Sequence, residues 1–336
     1  MLYRFDSCIC HYKKEKGENK KMVKLFTHTD LDGVGCAILA KVAFGKDVDI
    51  SYCNYDDVDR QVTDFLNNHS IKANDLVFIT DISISKEVAE RIDKSNVKDC
   101  FVLLDHHTTA LGLNKYSWCR VMIEHTNIKT SGTELLYYWL LTHTYFSQDS
   151  SCRKLNLLYF TNIVRDWDTW RWSTMGEEGV ICKQINDLLY IYGRDTFIGW
   201  AINKISKTYY FDSEAIGEEE KIILDMLQKE KDDYIKQKSG TMFDAEIYGY
   251  TCGIVFADRF ISELGNTLCK NHLEIDLVII IDISRNAVSY RTVKDEINVG
   301  EFAKYFGGGG HPKAAGSQID KDTGLKIAKT ILFGGE

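Results

Sequence analysis

Several features that mark other classes of protein are scarce or missing in this chain of 336 residues. No apolar run approaches the ~20 residues needed to cross a bilayer, and no secretory segment opens the chain, so we expect no membrane partner. None of the ten cysteines belongs to a C-x-x-C pair, which favours reduced, buried thiols in a cytoplasmic protein. The net charge of −8 argues against duplex DNA as a partner, but it leaves a small phosphate substrate open.

The length of the chain exceeds what one hydrophobic core usually serves, so we expect two domains. A polar and basic leader is predicted over residues 1–21, followed by an α/β domain at 22–205. Residues 206–240 form a charged segment that we interpret as a helical linker, and residues 241–336 form a smaller α/β domain. The fold class predicted for the whole chain is therefore bilobal α/β.

Three short apolar runs in the first domain, residues 22–27, 76–80 and 101–104, are predicted strands, and each is followed by a helical segment. Strands that alternate with helices in this way predict a doubly wound, mainly parallel sheet. In such a sheet the carboxyl ends of the strands meet along one edge, where open α/β sheets bind their ligands. We expect the functional site at that edge.

Acidic and imidazole side chains follow these predicted strands directly: His28, Asp30 and Asp32, then Asp81, then Asp105, His106 and His107. One aspartate would be enough to cap the helix predicted at residues 36–44, so this set exceeds what capping needs. Converging carboxylates repel one another unless a cation holds them, which predicts a metal site. Neighbouring strand residues face opposite sides, so we expect one histidine on a metal and the other towards substrate.

A fourth carboxylate follows the apolar run at residues 155–164. Asp166 comes closest after that run and is preferred as a ligand, with Asp168 as its rival. Tryptophans surround these aspartates, and we expect them to shield the site from water, with a stacking platform for a base as the alternative: Trp167, Trp170 and Trp172.

The second domain contains four consecutive glycines within residues 306–316, followed by His311 and the only proline of the chain, Pro312. Consecutive glycine amides can approach and cradle an anion, and the histidine adds a further donor. Strands are predicted in this domain at residues 245–256, 276–283 and 287–292. The last carries Ser289 and Arg291, and the arginine is suited to bind a phosphate through two hydrogen bonds.

The order of these residues resembles a known family. The series His28-x-Asp30-x-Asp32, Asp81, Asp105-His106-His107 and Asp166 is similar to the four motifs of DHH phosphoesterases. The glycine-rich segment and Ser289-Tyr290-Arg291 resemble motifs of their DHHA1 domain. The overall pattern most resembles the short-oligoribonuclease (nanoRNase) branch, to which the larger RecJ-like exonucleases are related.

The resemblance implies two divalent metal ions, usually manganese, with magnesium as a possible substitute. It assigns the metal ligands by position, with Asp81 as the bridge: His28, Asp30, Asp32, Asp81, His106 and Asp166. Asp105 then orients a neighbouring ligand, and His107 faces the phosphate and assists proton transfer. The substrate-binding residues it implies lie in the second domain: Ser289, Arg291, Gly308, Gly309, Gly310 and His311.

The implied activity is hydrolysis of very short RNA to mononucleotides by metal-activated water. A phosphatase acting on 3′-phosphoadenosine 5′-phosphate, or a cyclic-dinucleotide phosphodiesterase, is the alternative within the enzyme class. A catalytically inactive nucleotide-binding or scaffold protein is the alternative outside it. A homodimer is possible in each case.

Overall fold

The chain divides into two units, Met1–Leu224 and Asp225–Glu336. The computed structural model describes residues 22–45, 48–147, 150–207, 211 and 215–334. The predicted leader at 1–21 lies outside the described residues. In the part of the chain that is described, every helix is too short or too polar to cross a bilayer.

A parallel five-stranded sheet forms the centre of the first unit, in the order β2-β1-β3-β4-β5. Its strands are short runs rich in β-branched and aromatic residues, which favour a pleated, buried surface: β1 (Val23–Thr27), β2 (Val48–Tyr52), β3 (Leu76–Thr80), β4 (Phe101–Asp105) and β5 (Cys119–Val121). The strand order reverses between β1 and β3, and open sheets bind ligands at such a reversal. A small hairpin follows, β6 (Glu124–His125) and β7 (Ile128–Lys129).

Helices cover both faces of this sheet: α1 (Leu31–Phe44), α2 (Val58–Asn68), α3 (Lys86–Asp93), α4 (Gly132–Thr142), α5 (Ser151–Asp168), α6 (Val180–Tyr192) and α7 (Arg194–Lys207). Alternate strand residues point into two separate cores, as the strand period of two requires. Leu25 and Phe78 pack in the core formed by α1 and α4 to α7, whereas Phe26 and Ile79 pack against α2 and α3. The predicted doubly wound sheet is confirmed.

The second unit contains a mixed six-stranded sheet in the order β12-β13-β11-β10-β9-β8. Only β9 and β10 pair in parallel. The strands are β8 (Phe243–Ile247), β9 (Tyr250–Phe256), β10 (Leu277–Asp282), β11 (Ala287–Arg291), β12 (Gly309–His311) and β13 (Ala314–Gln318). The helices are α8 (Glu218–Ser239), which contains the division between the units, α9 (Ile261–Asn271), α10 (Val299–Lys304) and α11 (Thr323–Phe333).

Three predicted boundaries differ from the structure. Helix α1 begins at Leu31 and not at residue 36. The single strand predicted at 245–256 is a hairpin, because Tyr248 and Gly249 turn the chain with φ of 52° and 80°. The segment predicted as a linker contributes Phe211 and Leu224 to the core of the first unit, although it is charged overall.

Candidate metal centre

The carboxyl ends of β1, β3 and β4 deliver polar side chains to one edge of the first sheet. Thr27 at the end of β1 pairs with Thr80 at the end of β3, and Thr80 pairs with Leu104 of β4. Because these strand ends lie at one level, the residues that follow them meet. Three overlapping groups of potential ligands result within the described residues: His28, Asp30 and Asp81; Asp32, His106 and Asp168; Asp81, Asp105, His106 and His107.

Asp81 belongs to two of these three groups, the first and the third. Its Oδ2 lies 4.0 Å from His28 Nδ1, and that nitrogen lies 2.8 Å from Asp30 Oδ2. Its Oδ1 lies 3.2 Å from Nε2 of His106. The two oxygens of one carboxylate therefore face different groups of potential ligands.

The second group surrounds His106. Its Nε2 lies 3.5 Å from Asp168 Oδ2 and 3.7 Å from Asp32 Oδ2. The predicted ligand Asp166 is absent from this cluster, because its carboxylate accepts hydrogen bonds from the guanidinium groups of Arg165 and Arg171 at 2.9 and 3.0 Å. The structure therefore places the rival Asp168 where Asp166 was expected. Residues two apart on a helix do not face the same way, so only one of these aspartates can reach the site.

Asp30 and Asp32 are positioned by helix ends and not by a continuing strand. Asp30 caps α1, since its side chain accepts a hydrogen bond from Gly33 N at 3.0 Å. Asp32 lies in the first turn of that helix, and its two oxygens accept backbone N–H groups of Gly132 and Thr133 at 2.6 and 2.8 Å. These amides begin α4, where helix N–H groups lack partners and favour a negative charge.

The backbone at Asp81 is strained, with φ of 56°, a value that non-glycine residues seldom adopt. Gly132 of α4 lies directly against it. A Cβ at Gly132 would come within 2.5 Å of Asp81 Cβ and 2.9 Å of its Cα. The absence of a side chain at Gly132 therefore makes room for the backbone conformation in which Asp81 faces His28 with one oxygen and His106 with the other.

The electrostatics of the cluster fit a divalent cation. Burial, together with the charges of Asp32 and Asp30, raises the pKa of Asp81 well above its ordinary value. Burial and the same two charges also raise the pKa of Asp168. Among the described residues, Asp81 Oδ2 is buried and has no hydrogen-bond partner. Hard carboxylate oxygens with a few imidazole nitrogens suit manganese or magnesium, so the residues present fit the implied metal.

His107 has surroundings different from those of His106. Its Nδ1 lies 2.7 Å from Asp105 Oδ1, and Asp105 also accepts a hydrogen bond from Ser83 Oγ. Burial acts to lower the pKa of His107, but the hydrogen bond and charge of Asp105 outweigh it and leave the pKa raised. The Tyr55 hydroxyl lies 3.3 Å from His107 Nε2. Tyr55 was not predicted as a site residue, because it follows β2 and belongs to none of the motifs that supply the ligands.

In the second unit, Ser289 and Arg291 lie two residues apart on β11 and so face the same side of the sheet. The Arg291 guanidinium donates to the carbonyl oxygens of Tyr290 and Ala315 at 3.0 and 3.4 Å. Within the described residues no carboxylate lies close enough to form an ion pair with Arg291. Burial removes water from this guanidinium and so lowers its pKa. A partly desolvated cation of this kind is suited to bind an anion.

The glycine-rich segment is not the continuous cradle that the sequence predicted. The N–H groups of Gly307 and Gly308 donate to Lys304 and Ala303 at the end of α10, at 3.1 and 2.9 Å. Gly309, Gly310 and His311 form the edge strand β12. A role of these residues in substrate binding stays a prediction, now resting on an exposed strand edge.

Comparisons with known proteins agree with this architecture. The family model of the DHHA1 domain matches residues 259–332. The chain is 36% identical over 307 residues to oligoribonuclease NrnB of Bacillus subtilis (strain 168), a match that covers 89% of this chain and 73% of that protein. The chain therefore belongs to the DHH/DHHA1 family of phosphoesterases.

Solved structures share the fold at low identity. RecJ of Thermus thermophilus, solved in complex with Mn²⁺, matches with a TM-score of 0.55 and 15% identity, covering 93% of this chain and 51% of RecJ. The pGpG-specific phosphodiesterase PggH of Vibrio cholerae matches with a TM-score of 0.50 and 14% identity, covering 92% and 97% of the two chains.

Proposed function

We propose that this chain is a metal-dependent phosphodiesterase that hydrolyses very short RNA to mononucleotides. Asp81 carries the proposal, because its two oxygens face separate groups of carboxylate and imidazole ligands. The 36% identity to an oligoribonuclease supports RNA as the substrate. The net charge of −8 also suits a short substrate better than a long duplex.

We assign two ions, manganese being favoured, to ligands that the site brings together. His28, Asp30 and Asp81 would hold one, and Asp32, His106 and Asp168 would hold the other together with Asp81, whose Oδ1 lies 3.2 Å from His106 Nε2. When bound, such a pair lowers the pKa of the attacking water and stabilises both oxygens of an in-line displacement at phosphorus. Asp168 replaces Asp166 in this assignment.

The protein's own groups complete the reaction. A water oxygen bonds to phosphorus and gives up one proton, the bond from phosphorus to the leaving sugar oxygen breaks, and that oxygen gains a proton. We assign the proton transfer to His107 Nε2, because Asp105 fixes the opposite ring nitrogen. Arg291, Ser289 and the edge strand of residues 309–311 are proposed to bind the substrate's phosphates.

Turnover by the metal-stripped chain, titrated with Mn²⁺, tests this function. Labelled di- to pentanucleotides should be hydrolysed to mononucleotides in a metal-dependent manner, and faster than 3′-phosphoadenosine 5′-phosphate. Faster release of phosphate from the bisphosphorylated nucleotide would favour the phosphatase. Binding of these compounds with no turnover at any metal concentration would favour the inactive scaffold.

A further inference from the structure

A cavity of about 420 Å³ opens beside His107, in the first unit. Its walls are the start of α2, the loop from β3 to α3, and the 3₁₀ segment Thr108–Lys115. Asp105, His107 and Tyr55 belong both to this cavity and to the surroundings of the metal centre. Its volume lies within the roughly 300–1,000 Å³ typical of small-molecule sites.

The lining of the cavity does not favour an anion. Buried apolar side chains form much of its wall: Val58, Ile84, Ala110 and Leu113. Two carboxylates, Asp59 and Asp105, line it with a single lysine, Lys86, whose Nζ lies 3.9 Å from Glu90. A second phosphate is therefore disfavoured there. A flat, uncharged ring with hydrogen-bonding edges fits, because hydroxyl groups and the two carboxylates lie beside apolar surface.

Tyr55 connects the cavity with the metal centre. Its side chain is 63% exposed, although its ring lies 5.2 Å from that of His28 and its hydroxyl contacts His107. A large aromatic ring left exposed at this place offers a stacking surface to a nucleobase. A nucleotide with its phosphate at the metal centre would therefore lie beside this ring and beside the cavity.

We propose that this cavity binds one nucleoside of the substrate, with Tyr55 as its aromatic wall. The inference rests on the proposed function for the position of the phosphate. It adds a recognition site for the base and sugar within the first unit. The occupant it predicts is a nucleoside and not a second phosphate group.

A cavity-filling variant tests the proposal. Gly112 lines the cavity, has no described heavy atom within 4 Å of the position of a Cβ, and lacks a positive φ, so Gly112→Leu introduces bulk without backbone strain. Gly199 on α7 is equally open and serves as the control, Gly199→Leu. Isothermal titration of the Mn²⁺-loaded proteins with adenosine 5′-monophosphate and with inorganic phosphate measures both affinities.

We expect Gly112→Leu to weaken binding of adenosine 5′-monophosphate about tenfold or more, as loss of a stacked base does, and to leave phosphate binding unchanged. Gly199→Leu should change neither. Unchanged nucleotide affinity in Gly112→Leu, or an equal loss for both ligands, would overturn the proposal. If the wild-type protein binds the nucleotide more tightly than phosphate but hydrolyses no dinucleotide, the proposed function is contradicted and the proposed nucleoside site is supported.

A second pair of variants keeps the test decisive if Gly112→Leu unfolds. Tyr55→Ala removes the aromatic wall, whereas Tyr55→Phe removes only the hydroxyl that contacts His107. The nucleotide should lose more affinity in Tyr55→Ala than in Tyr55→Phe, with phosphate affinity similar in both. Equal nucleotide affinity in the two variants would exclude Tyr55 as a base contact and contradict the proposal.

Discussion

At the scale of single residues, two aspartates separated by one residue on α5 have opposite surroundings. Asp168 lies against His106, and burial beside Asp32 and Asp30 raises the pKa of its carboxyl group. Asp166 is neutralised by Arg165 and Arg171, and Arg165 also donates to Glu134 at 3.0 Å. Carboxylates outnumber the single lysine, Lys129, that acts on Asp168, whereas the two arginines already balance Asp166. We therefore propose Asp168 as the metal ligand.

Substitution of each aspartate by alanine should separate a metal ligand from a structural ion pair. Asp168→Ala should weaken Mn²⁺ binding by more than the roughly 10- to 100-fold that loss of a supporting partner costs. Asp166→Ala should instead cost about 1–3 kcal/mol of stability, because it removes one of the two carboxylates that accept hydrogen bonds from the buried Arg165, while Glu134 stays in place. Calorimetric metal titration and urea unfolding measure the two effects. A loss of metal affinity in Asp166→Ala alone would reverse the assignment.

At the scale of elements, the start of α4 holds two of the proposed ligands at once. Its first amides bind the carboxylate of Asp32, and Gly132 makes room for the left-handed backbone of Asp81. These contacts bring together parts of the chain that lie far apart in sequence. The helix therefore sets the spacing between the groups that the metal ions are proposed to occupy.

Gly132→Ala tests this role of α4. The added methyl group would collide with Asp81, so we expect about 1–3 kcal/mol of destabilisation from overpacking. Mn²⁺ affinity should fall together with stability, because Asp81 has to move. Gly199→Ala is the matched helical control, and it should stabilise the protein by up to about 1 kcal/mol. Unchanged metal affinity in Gly132→Ala would mean that α4 supports the fold without positioning the ligand.

Sequence patterns predicted β1, β3 and β4 of the first sheet and most of the acidic cluster, because apolar runs that are followed by Asp or His are local features. The start of α1 was predicted at residue 36 and lies at Leu31, because Asp30 caps the helix and does not continue the strand. The apolar run before Asp166 could not decide between Asp166 and Asp168, because both aspartates lie on α5 and only tertiary packing places Asp168 beside His106. Contacts such as Gly132 with Asp81 depend on tertiary packing and leave no local pattern.

At the scale of the whole molecule, the two units carry different chemistry. The first gathers carboxylates and imidazoles, whereas the second presents Arg291 with no carboxylate partner among the described residues. A cation left unpaired and partly desolvated is costly unless an anion binds it. We therefore expect the second unit to contribute phosphate binding, and not metal binding, to the reaction.

Arg291→Ala and His311→Ala should raise KM for a dinucleotide roughly 10- to 150-fold, the loss expected for a charge-assisted phosphate contact. Bound Mn²⁺ should stay unchanged. Turnover of bis-p-nitrophenyl phosphate, which offers a single phosphate, should fall far less. Arg285, 68% exposed and near Asp282, provides the control Arg285→Ala. Equal losses on both substrates, or loss of metal, would assign Arg291 and His311 to maintenance of the fold.

The most direct test of the account is the metal content and activity of Asp81→Asn. Asparagine keeps the size of the side chain and tolerates a left-handed backbone, so the variant should fold. If Asp81 joins two metal sites, the variant should retain at most one Mn²⁺ and lose dinucleotide hydrolysis down to the metal-free background. A folded Asp81→Asn protein that binds two Mn²⁺ ions and hydrolyses dinucleotides at a substantial rate would contradict the account.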